Sequence, residues 1–200
     1  MPCCTPKLLY SRQLDNTQEP GRYLRHFGSV EELMGLSLDT EMVIVAPIRR
    51  AIDVSASDRL RAGSEPIFSA RFHRVHNEVP FCTTTVFIRD VIARDLPKYA
   101  ELTMTGTRSR HTFIGLIDAH TPGGVAEAEQ SVTAVEADPD LASDLGCPEG
   151  APLLRIDRLY FNGDDTPVEL AVSHFLPDQY TYRMRLRRAG GRTGTVRNLR

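Results

Sequence analysis

The segment Ala151-Pro152-Leu153-Leu154-Arg155-Ile156-Asp157-Arg158-Leu159-Tyr160-Phe161-Asn162-Gly163-Asp164-Asp165-Thr166-Pro167-Val168-Glu169-Leu170-Ala171-Val172-Ser173-His174-Phe175-Leu176 reads as two strands joined by a tight turn. Asn162-Gly163 supplies the positive φ angles that a hairpin turn needs. Pro167 opens the returning strand, where a missing N–H does least damage. Side chains alternate between the two faces of a strand. Glu169, Ala171, Ser173 and Phe175 therefore share one face. Val168, Leu170, Val172 and Leu176 share the other, with His174 the exception. A core strand has no need of a carboxylate, a hydroxyl and an aromatic ring in a row. Two readings fit that row: a polar face turned to water, or the wall of a ligand cavity.

Moving outward, the same logic recurs upstream. Residues 67–76 alternate toward a turn at Asn77-Glu78, and 80–88 return. Aligned on Pro80 and Pro167, Arg71 falls opposite Arg158, so the chain holds an internal pseudo-repeat of two hairpins. The first hairpin is polar for a core. Arg71, His73, Arg74 and His76 precede its turn, and Thr83, Thr84 and Thr85 follow it. A fork of planar guanidinium donors suits a phosphate or a carboxylate. Around the hairpins lie a strand at 41–48, a short helix at 54–60, a helix or extended continuation at 88–96 and a strand at 125–135. A helix at 138–146 ends on a glycine stop signal. Ser29 with Glu32 forms a capping box at the start of another helix, whose free N–H groups favour an anion. The whole reads as an α+β domain, a mostly antiparallel sheet of about six strands with helices packed on one side and at the ends. Residues 1–21 read as an arm or linker, 22–188 as the domain, and 189–200 as a disordered basic tail.

Composition narrows the function. With 41% hydrophobic and 25% charged residues, the chain has the make-up of a soluble globular domain. No apolar run approaches the roughly 20 residues of a membrane helix, and no signal peptide opens the chain, so a cytoplasmic location is expected. Net charge is −2, and the basic residues gather at the C-terminal end, which argues against nucleic-acid binding by this chain alone. The four cysteines include no C-x-x-C pair, so neither a zinc site nor a disulfide framework is indicated. His73 and His76, three apart on a strand, face opposite sides and make a poor metal pair. No phosphate-binding loop or nucleophile elbow is present. No cofactor is expected.

The run Gly150-Ala-Pro-Leu-Leu-Arg-Ile-Asp-Arg-Leu-Tyr-Phe161, then a turn, then Pro167-Val-Glu-Leu-Ala-Val-Ser-His-Phe-Leu-Pro-Asp-Gln-Tyr-Thr-Tyr182 resembles the end of the UTRA domain. That is the effector-binding domain of HutC-type GntR transcription regulators, similar in fold to chorismate lyase. The resemblance covers roughly residues 22–188. It implies a chorismate lyase-like fold and the sensing of a small anionic effector. DNA would be contacted only through a linked winged helix-turn-helix domain that this chain does not carry. A homodimer would match a palindromic operator. It also implies effector contacts from Ser29, Arg71 or Arg74, Thr84, Thr112, Glu169, Ser173 and Phe175. Here the sequence departs from the family: an Arg-x-Arg pair becomes Phe72/Arg74 or Arg71/His73, Thr84 stands near an acidic position, Thr112 replaces a serine and Phe175 a tyrosine. Two alternatives stay open. One is a chorismate lyase-like enzyme, with Glu169 as carboxylate and Arg71 or Arg74 across the pocket. The other is a degenerate domain that serves dimerisation.

Overall fold

The structure is a computed structural model that describes residues 23–25, 40–94, 96 and 100–182. The expected arm at 1–21, the helix opening at Ser29 and the tail at 189–200 lie outside these residues. The described strands are β1 (Tyr23–Arg25), β2 (Glu41–Ala51), β3 (Ile67–His76), β4 (Val79–Arg89), β5 (Arg108–Ser109), β6 (Val125–Glu136), β7 (Pro152–Asn162), β8 (Pro167–Phe175) and β9 (Tyr180–Tyr182). Seven of them form one sheet in the order β5-β2-β3-β4-β8-β7-β6, and every pairing in it is antiparallel. β5 has only two residues, so the expected count of about six long strands stands. β1 and β9 form a separate parallel pair, with Tyr23 beside Tyr180.

Both expected hairpins are present. Asn77 and Glu78 take φ angles of 48° and 66°, the pattern of a two-residue turn whose twist matches its strands. The second hairpin differs from the sequence reading. Its positive φ falls on Asp165, at 57°, and Gly163 has none. The loop is longer, and the Asn162 side chain ties it. Its Oδ1 accepts the N–H groups of Asp164 at 3.1 Å and Thr166 at 2.9 Å, as asparagine often does in loops. The two hairpins meet through β4 and β8. Thr85 lies opposite Val172, with Cys82–Phe175 and Ile88–Glu169 equidistant on either side. The pseudo-repeat is thus a local two-fold.

The described helices are α1 (Val54–Arg59), α2 (Asp90–Ala93), α3 (Ala100–Thr103), α4 (Phe113–Asp118) and α5 (Pro139–Leu145). Asp53 caps α1, its carboxylate accepting the Ala56 N–H at 2.8 Å. Ala56 and Leu60 then pack on Ile67 and Leu170. α4 buries Phe113, Ile114, Leu116 and Ile117 in a cluster with Met42, Ile44, Phe72, Val86 and Ala171. Leu170 and Ala171 are consecutive on β8, so α1 and α4 cover opposite faces of the sheet. The expectation of helices on one side and at the ends is corrected: the central strands are apolar on parts of both faces, and each needs a cover.

α5 is capped by Asp138 and ends on Gly146 at φ 65°. A Cβ added at Gly146 meets nothing within 4 Å. Gly146→Ala is therefore expected to destabilise through backbone strain alone, by about 1 kcal/mol. Urea unfolding would measure it, and a neutral result would show that the helix end re-forms in another conformation. No described helix is long and apolar enough to cross a membrane.

Candidate functional site

Four rungs run across β3, β4, β8 and β7 on the face covered by α4. They are Arg74–Cys82–Phe175–Leu154, Phe72–Thr84–Ser173–Ile156, Ala70–Val86–Ala171–Arg158 and Phe68–Ile88–Glu169–Tyr160. Large residues stand at the outer rungs and small ones near the middle. A cavity of about 90 Å³ opens over this floor, room for several waters or a compact ligand. Thr112, Phe113 and Ile114 at the start of α4 line it, as do Phe81 and Tyr180. Phe72 stacks on Phe113, with ring centroids 6.0 Å apart. Phe175 stacks on Tyr180 at 4.0 Å.

Three charged side chains line this largely apolar space: Arg74, Arg158 and Glu169. Arg74 is 8% exposed and Glu169 1%. Burial pushes the Glu169 carboxyl up to about 8, against a smaller opposing pull from Arg158. Its Oε2 has no hydrogen-bond partner. Arg158 donates from Nε to Gln130 at 2.7 Å, which fixes the guanidinium stem beside the cavity. Thr84 and Ser173 share a hydrogen bond of 2.9 Å across β4 and β8. Cys82 lies 3.4 Å from the Thr84 hydroxyl, and burial pushes its thiol up to about 11, so it acts as a small neutral wall residue. Thr112 caps α4 through the Gly115 N–H at 3.2 Å.

The structure brings together Arg74, Thr84, Thr112, Glu169, Ser173 and Phe175 around one cavity. Ser29 lies outside the described residues. Arg71 is corrected. It points to the opposite face, 3.3 Å from Asp144 of α5, where His73 also lies 3.7 Å from the same carboxylate. Of the two readings of the arginine pair, Phe72/Arg74 faces the cavity. A bulge decides this. Arg74 pairs with Cys82 and Val75 with Pro80, leaving Phe81 as an extra residue on β4. Arg158 therefore has Phe72, and not Arg71, as its counterpart across the two-fold.

The sequence reading missed Tyr160, Tyr180 and the aromatic wall of Phe72, Phe81 and Phe113. It met Arg158 only as the partner of Arg71. Period-two alternation through Ile156, Arg158 and Tyr160 was the signal available for β7.

The opposite face of the same strands carries a second set of charges. Asp157 accepts from Arg155 at 2.7 and 2.9 Å and from Arg59 of α1. Burial alone would raise the Asp157 carboxyl, but these hydrogen bonds outweigh it and hold it below its ordinary range. Burial lowers His73 and His174.

The UTRA domain family model matches residues 35–181. The chain is 30% identical over 85 residues to the HTH-type transcriptional regulator Rv0792c of Mycobacterium tuberculosis, covering 42% of this chain and 32% of that protein. It thus spans about a third of the length of that curated relative. The effector domain of PhnF from Mycobacterium smegmatis is similar in fold, with a TM-score of 0.65 at 17% identity over 83% of this chain and 100% of that one. A GntR-family transcriptional regulator from Enterococcus faecalis gives a TM-score of 0.60 at 15% identity over 72% of this chain and 99% of that one. The matched span takes in the two hairpins and every described cavity residue, and the chain belongs to the UTRA domain family.

Proposed function

We propose that this chain is the effector-sensing domain of a GntR-family, HutC-type transcription regulator. It binds a small anionic metabolite, and that binding modulates DNA contact by a linked winged helix-turn-helix domain. One observation carries the reading: a formed cavity, apolar in its walls, in which buried guanidinium and carboxyl groups stand beside hydroxyls. That is the composition of a small-molecule site. Arg74 supplies the anion contact, with Thr84, Thr112 and Ser173 as hydroxyl partners, Phe175 as an apolar wall and Glu169 accepting from a hydroxyl or amine. A ligand shifts such a regulator only by binding one arrangement of the assembly better than the other. The assembly proposed is a homodimer in the cytoplasm.

A thermal-shift screen against phosphorylated sugars, dicarboxylates, aromatic acids including chorismate, and amino acids tests the reading. At a hundredfold excess over its dissociation constant a ligand stabilises the fold by about 2.7 kcal/mol. For a chain of this size that is about 5–10 °C in Tm. The double variant Arg74→Met/Glu169→Gln is expected to abolish the shift while remaining folded. Consumption of the bound compound would instead favour the lyase-like enzyme. A screen without any shift would leave dimerisation as the role.

A further inference from the structure

Glu169 is the polar group that the fold does not use. It is 1% exposed, and its Oε2 is buried with no hydrogen-bond partner. A buried carboxyl without a partner destabilises a protein. An aliphatic residue would serve that position on β8 better if packing were its only role. Its side chain lines the cavity, so the missing partner belongs to whatever fills that space.

The position of Arg158 says what kind of partner this is. Arg158 lies opposite Ala171 and Tyr160 opposite Glu169, so Arg158 and Glu169 are diagonal neighbours across β7 and β8. Diagonal positions stand about 7–8 Å apart, within reach of long side chains. A guanidinium and a carboxyl so placed meet an anion and a cation carried close together on one small skeleton. The short side chain of Ala171 leaves the floor open beside them. Thr84, Ser173 and then the Phe175–Tyr180 stack continue the cavity away from this pair.

An amine-free anion fits poorly, because its charge would lie against Glu169 and leave Oε2 without a donor. A simple amine would leave the guanidinium edge facing a cation. We propose that the cavity is built for an α-amino acid. Arg158 takes its carboxylate, Glu169 takes its ammonium, and its side chain lies along Ala171 and Ser173 toward Phe175 and Tyr180. This rests on the effector-sensing reading above and narrows its ligand class.

Burial holds the Glu169 carboxyl neutral up to about pH 8 in the empty cavity. An ammonium ligand must therefore displace that proton. Binding then releases up to one proton per site and tightens from pH 6 to pH 8. The test is calorimetric titration of the whole chain with the twenty L-α-amino acids and with their desamino carboxylic acids of matched skeleton. Buffers of different ionisation enthalpy would report the released proton. An amino acid is expected to bind at least tenfold tighter than its desamino analogue. Glu169→Gln is expected to weaken the amino acid at least tenfold and leave the desamino acid unchanged, whereas Arg158→Met weakens both. Binding of desamino acids or phosphorylated sugars with no amino acid bound, or amino-acid binding without proton release, would overturn the amino-acid assignment and leave the sensor intact. Absence of binding to any compound of either class would overturn both.

Discussion

Glu169→Gln is expected to stabilise the ligand-free chain at neutral pH, although it removes a charged cavity residue. The Glu169 carboxyl is raised from an ordinary 4.5 to about 8 in the folded protein, chiefly by burial. A raised value means that the folded state holds the proton more tightly than the unfolded state. Between pH 4.5 and pH 8 unfolding therefore releases a proton, and stability falls as pH rises through that window. The loss accumulated by pH 7 is on the order of 3 kcal/mol for a fully buried group. Glutamine cannot ionise and escapes it. The gain over the native chain should vanish at pH 4, where both side chains are neutral, and be fully developed above pH 8. Urea unfolding of both proteins at pH 4, 7 and 8.5 would measure it. A gain of equal size at all three would mean that ionisation is not its source. A residue that weakens the fold where it lines the cavity is the pattern expected of a binding group kept for function.

Phe113→Ala should have the largest destabilising effect on the cavity. Phe113 is 3% exposed and stacks on Phe72 with its ring nearly parallel, at 10°. It opens α4 directly after the Thr112 cap and belongs to the main core cluster. Removing a buried phenyl ring costs about 3–5 kcal/mol, from lost transfer energy and from the void left behind. Chemical denaturation should show that loss, with Phe113→Leu losing no more than about 1.5 kcal/mol because it nearly conserves volume. Any ligand-induced thermal shift should disappear in the alanine variant and survive in the leucine one. Equal stability of Phe113→Ala and the native chain would mean that α4 does not close the cavity.

Much of this site could be read from residue order. Alternation along β8 put Glu169, Ala171, Ser173 and Phe175 on one face, and that face does line the cavity. Pro80 and Pro167 fixed the starts of the return strands, and the pairing of β4 with β8 made the repeat a real symmetry. The failures have local causes. Arg71 was placed with Arg74 because an unbulged count from Asn77-Glu78 leaves the phase of β3 open, and nothing in the residue order marks Phe81 as the extra residue. Gly163 was given the left-handed backbone of a tight turn. The Asn162 side chain supports a longer loop, and Asp165 takes that conformation. Tyr180 and Phe113 come from separate elements and meet the strands only through packing, which no local pattern encodes.

Tyr180 belongs to two structures at once. Its ring forms one wall of the cavity, against Phe175, and its backbone sits in β9, in register with Tyr23 of β1. A molecule that wedges the two rings apart has no soft neighbour to absorb the motion, because Phe175 is held in the middle of a seven-stranded sheet. The displacement goes instead to β9, and through its hydrogen bonds to the segment that precedes the sheet. The wall is therefore also a lever, with its short arm in the cavity and its long arm at the N-terminal end of the domain.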